Sequence, residues 1–404
     1  MTTSSWVPGA AGSGYDVDHL PYAVFTTAED DEPRVGVRIG GLVLDVAPVA
    51  AAEMLDVAAL FEQPTLNPLM AAGPQVWASV RTWLTQLLTD EAERELVEPH
   101  LVALDEVTTR LGFEVADYVD FLCGKQHAEN AGRIFRPDSE PLGANFTSLP
   151  IGYHGRAGTV VVTGTPIARP SGQRPSREGP TFGPTRRLDL EAELGFVVGT
   201  PSATPVGTGA LADHVFGVTL LNDWSARDIQ AWESQPLGPF LGKSFGVSVS
   251  DWITPLAALE PAKVALPAQD PPPLDYLVVE DPRPGYDVEV EVILNGEVVS
   301  RPPYRVMYWS PAQMLAHLTS NGATLRTGDL FGSGTISGDE REQRGCLLEL
   351  SWGGREPFTA GGVERSWLED GDEVTLRATA PGASGGRIAL GEVTGRIEPA
   401  TSQR

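Results

Sequence analysis

The chain has 404 residues, with 54 acidic against 29 basic side chains and a formal net charge of −25. That balance excludes nucleic acid and anionic membrane as partners, since both need a cationic footprint. An apolar content of 41% is enough to build a core, and the length suits two domains.

Residues 1–8 carry neither the basic region nor the apolar stretch of a secretory signal. No apolar run approaches the ~20 residues that cross a bilayer. Cys123 and Cys346 are the only cysteines and show no metal or redox spacing, which reads as a reducing, cytoplasmic setting. Residues 34–46 predict a hairpin turning at Gly40-Gly41. After an Ala-rich helical stretch, Pro74 stands at a first helical position. Val76, Trp77, Val80, Leu84, Leu87 and Leu88 follow it at helical spacing. Helical patterning gives way to turn-rich sequence near Val115, which divides the chain into domains 1–115 and 116–404.

Beyond that point short strands alternate with Gly, Pro and Asp. The clearest are 159–162, 188–198, 215–221, 288–294, 297–300, 347–352, 373–378 and 392–397. Asn295-Gly296 is a strong hairpin signal. Residues 311–318 form the best helix, and the proline-rich stretch 261–284 reads as a surface excursion. The fold class is therefore α+β and mostly β, with a small domain in front.

The chemistry concentrates in Asn222-Asp223-Trp224-Ser225-Ala226-Arg227-Asp228-Ile229-Gln230 and, shortly after, Lys243. This run supplies a hard-cation ligand, two cationic donors and an amide, as a site needs that holds a metal and stabilises charge growing on oxygen. In the predicted strand, Asp189, Glu191 and Glu193 share one face. They form either a solvated edge or, if buried, a site for Mg2+ or Ca2+. Asp120 can join that cluster, and His127, in a polar loop, is either structural or a general base needing a carboxylate partner. Tyr153-His154-Gly155-Arg156 is a dense turn with either a packing or a functional role. Gly332-Ser333-Gly334-Thr335-Ile336-Ser337-Gly338 lacks the lysine of a P-loop yet can offer N–H groups to a carboxylate. Together these motifs point to a metal-dependent enzyme for an acidic carbonyl substrate.

These motifs closely resemble the fumarylacetoacetase family, from His19-Leu20-Pro21-Tyr22 and Gln63-Pro64-Thr65-Leu66-Asn67 through 222–246 to Gly391-Glu392. The resemblance implies a small SH3-like N-terminal domain, a mixed β-roll catalytic domain and a homodimer. It also implies hydrolysis of a carbon–carbon bond in a small-molecule β-diketo acid, giving fumarate and acetoacetate in tyrosine and phenylalanine catabolism. It makes Asp120, Glu191, Glu193 and Asp223 the ligands of a divalent cation (Mg2+, Ca2+ or Mn2+), and His127 the base with Glu349 as partner. It further makes Arg227, Gln230 and Lys243 the donors to developing charge, and Arg136, Tyr153 and Thr335, with Arg227 and Gln230, the substrate contacts. Two positions depart from the family, which has tyrosine where this chain has Leu122 and Ser234. They motivate an alternative, a relative of the same fold acting on a different keto acid as hydrolase, decarboxylase or isomerase.

Overall fold

The structure, a computed structural model, describes residues 4–401; the first three residues of the N-terminal segment read above lie outside them. The first sheet has five antiparallel strands in the order Leu101–Ala103, Leu42–Asp45, Arg34–Ile39, Tyr22–Thr27, Val107–Arg110. The predicted hairpin forms its centre. The helix Pro74–Thr89 starts as its sequence suggests. Gly73 takes φ 88°, Pro74 has no N–H to satisfy, and Val80, Leu84, Leu87 and Leu88 are buried on one stripe. Truncating one of these leucines to alanine costs about 2–5 kcal/mol by transfer and cavity terms.

The central sheet runs Ile151–His154, Tyr118–Leu122, Leu330–Gly332, Ala192–Val198, Val215–Asp223, Val247–Val249, Val160–Val162, with Thr254–Pro255 pairing off the main path. It is mixed: Tyr118–Leu122 with Leu330–Gly332, and Val247–Val249 with Val160–Val162, are parallel pairs. Every residue of Ala192–Val198 and Val215–Asp223 is buried, as expected of strands covered on both faces. Leu194, Phe196, Leu220 and Phe331 point into the larger core. Val197, Leu221, Leu330 and Tyr118 point the other way, into a core shared with Val37, Ile39 and Leu84 of the first 115 residues. A further sheet, Glu297–Ser300, Glu289–Leu294, Glu373–Pro381, Arg387–Glu398, Ile167–Ala168, closes over the larger core. Its Asn295-Gly296 turn has φ 51° and 82°, the positive pair a two-residue hairpin requires. Pro311–Thr319 is a helix with a full capping box between Ser310 and Gln313.

Three local readings are corrected. Residues 347–352 are no strand: Leu347–Leu350 is a helical turn. His127 lies in the helix Lys125–Phe135, not in a loop. The predicted strand 188–198 is broken into Leu188–Asp189 and Ala192–Val198, pairing with different partners. Among the described residues, no helix is long and apolar enough to cross a membrane.

Candidate active site

Register brings the acids together at one end of the central sheet. Asp120 lies opposite Tyr153 on one side and Gly332 on the other. Glu193 lies opposite Leu221, two residues before Asp223. Glu191 sits in the break that ends Leu188–Asp189, its N–H donating to Asn222 Oδ1 at 3.2 Å. One oxygen from each of Asp120, Glu191, Glu193 and Asp223 falls within 4.8 Å of the others, and all four residues are buried. Gly332 makes the space: a Cβ there would meet Glu193 Oε2 at 2.8 Å and Asp120 Oδ1 at 3.1 Å.

The donor set fits a hard divalent cation. Asp120 Oδ1, Glu193 Oε1 and Asp223 Oδ1 are buried without a hydrogen-bond partner, and an oxygen-only set of this kind suits Mg2+ or Ca2+. Burial pushes the carboxyls of Glu193 and Asp223 well above the usual carboxylate range, and neighbouring carboxylates add to it; Asp120 shifts in the same direction. Two protein cations offset part of the charge. The Lys243 ammonium bridges Glu191 Oε2 and Asp223 Oδ2, and Arg227 Nη2 lies 2.8 Å from Glu191 Oε1. Burial disfavours ionised Glu191, but Arg227 and Lys243 outweigh it and hold its carboxyl below its ordinary value. An isolated buried carboxylate neutralises or finds a cation, and a divalent ion here would hold these carboxyls in their ionised form.

A second unit stands beside the first. His127 Nδ1 is 2.7 Å from Glu349 Oε2, and His127 Nε2 is 3.7 Å from Glu191 Oε1. Asn130 Nδ2 donates to Glu349 Oε1 at 2.9 Å, while Ser337 Oγ at 2.7 Å and Cys346 Sγ at 3.1 Å donate to Oε2. Burial raises the Glu349 carboxyl, but His127, Asn130 and Ser337 more than reverse it, and its pKa falls to about 2. Glu349 is thus a fixed anion that can orient an imidazole and stabilise its protonated form.

The other sequence-derived candidates fall on both sides of this boundary. The Tyr153 hydroxyl donates to Asp223 Oδ2 at 3.2 Å. Gln230 accepts from Arg227 Nη1 at 3.4 Å, and Thr335 Oγ1 is buried without a partner. Arg136 stands apart: it is exposed just past the end of Lys125–Phe135 and donates to the Pro141 carbonyl at 3.2 Å. Leu122 packs half-buried against the larger core, and Ser234 caps the helix Arg227–Glu233 through a bond to the Gln230 carbonyl.

Sequence reasoning missed the role of Asp189. Its Oδ2 accepts from Arg227 Nε at 2.8 Å and Leu348 N at 3.0 Å, and its Oδ1 from Leu347 N at 2.7 Å. One buried carboxylate therefore ties Arg227 to the turn that carries Glu349. A third acid in the row 189–193 was the only signal of it.

Comparison with known proteins gives the family. Residues 117–398 match the family described as fumarylacetoacetate (FAA) hydrolase C-terminal, and residues 18–112 match fumarylacetoacetase N-terminal. The chain is 42% identical over 420 residues to fumarylacetoacetase of Homo sapiens, covering 98% of this chain and 99% of the relative. It is 41% identical over 415 residues to that of Arabidopsis thaliana, covering 98% of each. A solved fumarylacetoacetate hydrolase from Exiguobacterium antarcticum superposes with a TM-score of 0.56 at 19% identity, covering 94% of this chain and 99% of that one. A maleylpyruvate hydrolase from Sphingobium sp. SYK-6 superposes with 0.52 at 16%, covering 94% and 100%. At such identities the two superpositions speak for the fold alone.

Proposed function

The chain belongs to the fumarylacetoacetase family of hydrolases, and from that membership we propose that it hydrolyses 4-fumarylacetoacetate to fumarate and acetoacetate. The observation that carries this reading is the buried His127–Glu349 pair set against the four-carboxylate cluster, with His127 Nε2 3.7 Å from Glu191 Oε1. Identity to fumarylacetoacetases over 98% of the chain favours this substrate over another keto acid, despite Leu122 and Ser234.

In this reading Asp120, Glu191, Glu193 and Asp223 hold a divalent cation, Mg2+ or Ca2+, with Mn2+ as a possible substitute. Such an ion supplies Lewis-acid polarisation of the diketone oxygens. Glu349 keeps the His127 Nδ1 proton engaged, so Nε2 faces the cluster as the proton acceptor. His127 takes a proton from water, the hydroxide oxygen adds to the ketone carbon, and Glu349 stabilises the resulting imidazolium. When the carbon–carbon bond breaks, its electron pair goes to the acetoacetate carbon, which takes up the proton held on His127 Nε2. Arg227 and Lys243, fixed by Asp189, Glu191 and Asp223, hold the charge that builds on oxygen, and the Gln230 amide adds a donor. Tyr153 and Thr335 line the substrate position, and Arg136 joins them only if its side chain swings inward. The same proposal takes 1–115 and 116–404 as the two domains, a homodimer as the assembly and the cytoplasm as the setting.

The test is direct. Purified protein supplied with Mg2+ or Ca2+ is incubated with fumarylacetoacetate, and fumarate is followed by chromatography. Fumarate release that disappears in His127→Ala is expected; release no faster than in that variant refutes the proposal.

A further inference from the structure

At the opposite end of the strand Val215–Asp223 lies a cavity of about 1100 Å3 where the helix Pro74–Thr89 meets the catalytic sheet. Phe216, in its wall, is seven residues from Asp223, about 23 Å along an extended strand. The cavity is therefore separate from the site described above. Its floor is aromatic: Phe216 stands edge-on to Trp77, with ring centroids 5.4 Å apart, and 5.5 Å from Tyr22.

Arg81 lines the same cavity. Its two hydrogen bonds go to main-chain carbonyls, Nη2 to Asp18 at 2.6 Å and Nη1 to His19 at 2.8 Å. Among the described residues no carboxylate forms an ion pair with it. A guanidinium has five N–H donors, so this charge and most of its donors remain uncommitted beside apolar surface. The other cations of the lining are already matched: Lys263 pairs with Glu260 at 2.9 Å and Asp281 at 3.2 Å, and Arg283 with Glu260 at 3.5 Å. Asp275 and Glu280 stand exposed at the mouth, where water screens them. Tyr22 lines the cavity together with Arg81, and burial pushes its phenol above the ordinary value while Arg81 opposes that shift.

A cationic fork and a phenol set in an aromatic wall match one chemistry. We propose that this cavity binds a small carboxylate with an apolar or aromatic body, its carboxylate on Arg81 and Tyr22 and its body against Trp77 and Phe216. A bidentate guanidinium–carboxylate contact supplies orientation as well as affinity, and pockets of this composition hold small ligands.

Phenylacetate is the probe, with phenylacetamide as its uncharged counterpart, measured by calorimetry on the full-length protein. For a ligand of this size a Kd of about 1 mM is expected, with at least roughly tenfold weaker binding of the amide, since a charged contact is lost. Arg81→Met should weaken phenylacetate by a similar factor. Should that variant fold poorly, Ala78→Phe tests the same point: position 78 is exposed and lines the cavity, so added bulk blocks the space without disturbing the core. Ala78→Phe should abolish phenylacetate binding and leave turnover of the diketo acid unchanged. No binding of phenylacetate up to roughly 10 mM, about tenfold above the expected Kd, would overturn the proposal. So would equal binding of the amide, or binding indifferent to Ala78→Phe.

Discussion

Replacing Glu349 by glutamine isolates the charge behind His127 while keeping the side chain's shape. Glu349 accepts from four donors: His127, Ser337 and Cys346 at Oε2, and Asn130 at Oε1. A glutamine must point its NH2 group either at Asn130 or at the other three, so one donor faces another. The charge effect follows from the fall of the carboxyl from 4.5 to about 2. That difference favours the ionised form by about 3 kcal/mol, at 1.36 kcal/mol per unit. Losing a hydrogen bond to a charged partner costs roughly 1.5–3 kcal/mol, so kcat falls by roughly one to two orders of magnitude, since each 1.36 kcal/mol is tenfold. KM should change little, because Glu349 is separated from substrate by the imidazole. Steady-state kinetics on fumarylacetoacetate, with circular dichroism to confirm folding, provides the assay. A folded Glu349→Gln enzyme with kcat within threefold of the parent would refute the argument. The same shift sets a stability dependence: because the folded value is depressed, the ion's contribution is complete above about pH 4.5 and is lost as pH falls toward 2. The parent protein should therefore lose more stability than Glu349→Gln across that window in denaturant titrations.

Asp189→Asn should lower thermal stability and kcat together, because breaking a buried ion pair from one side costs roughly 3–5 kcal/mol; an unchanged melting temperature would contradict the role given to Asp189. Gly332→Ala places a carbon 2.8 Å from Glu193 Oε2, and calorimetry should find Ca2+ bound at least roughly tenfold more weakly, as when the surroundings of ligands are disturbed. Dialysis against EDTA should abolish turnover and lower the melting temperature by roughly 3–4 °C, the loss of ~3 kcal/mol of ligand linkage in a protein of this size. Readdition of Mg2+ or Ca2+ should restore both.

Much of the site was legible because charged residues interrupt an otherwise apolar chain. Glu193 and Asp223 lie within runs whose every residue is buried, and Glu191 directly beside one; carboxylates so placed must find partners. What stayed hidden depends on contacts distant in sequence. Leu347-Leu348-Glu349-Leu350 reads equally as strand or helix by composition. It turns helical where Asp189, over 150 residues away, takes the N–H groups of Leu347 and Leu348. Lys125-Gln126-His127-Ala128-Glu129-Asn130 looks like a polar loop because its inward face is itself polar. His127 and Asn130 are buried only because both reach Glu349. The broken strand at 190–191 was illegible for a related reason: Leu188–Asp189 pairs with Ser225–Ala226 and Ala192–Val198 with Val215–Asp223, a change of partner that alternation along one strand does not reveal.

The rear of the central sheet has a consequence for how this molecule can be divided. Tyr118, Val197 and Leu221, each within four residues of a cluster carboxylate, and Leu330, the register partner of Tyr118, rest on side chains contributed by the first 115 residues. The leading segment thus acts as a buttress behind the ion-holding strands. A fragment cut at residue 116 would have to present that greasy underside to water, and the spacing of its acids would loosen before any of them had been altered.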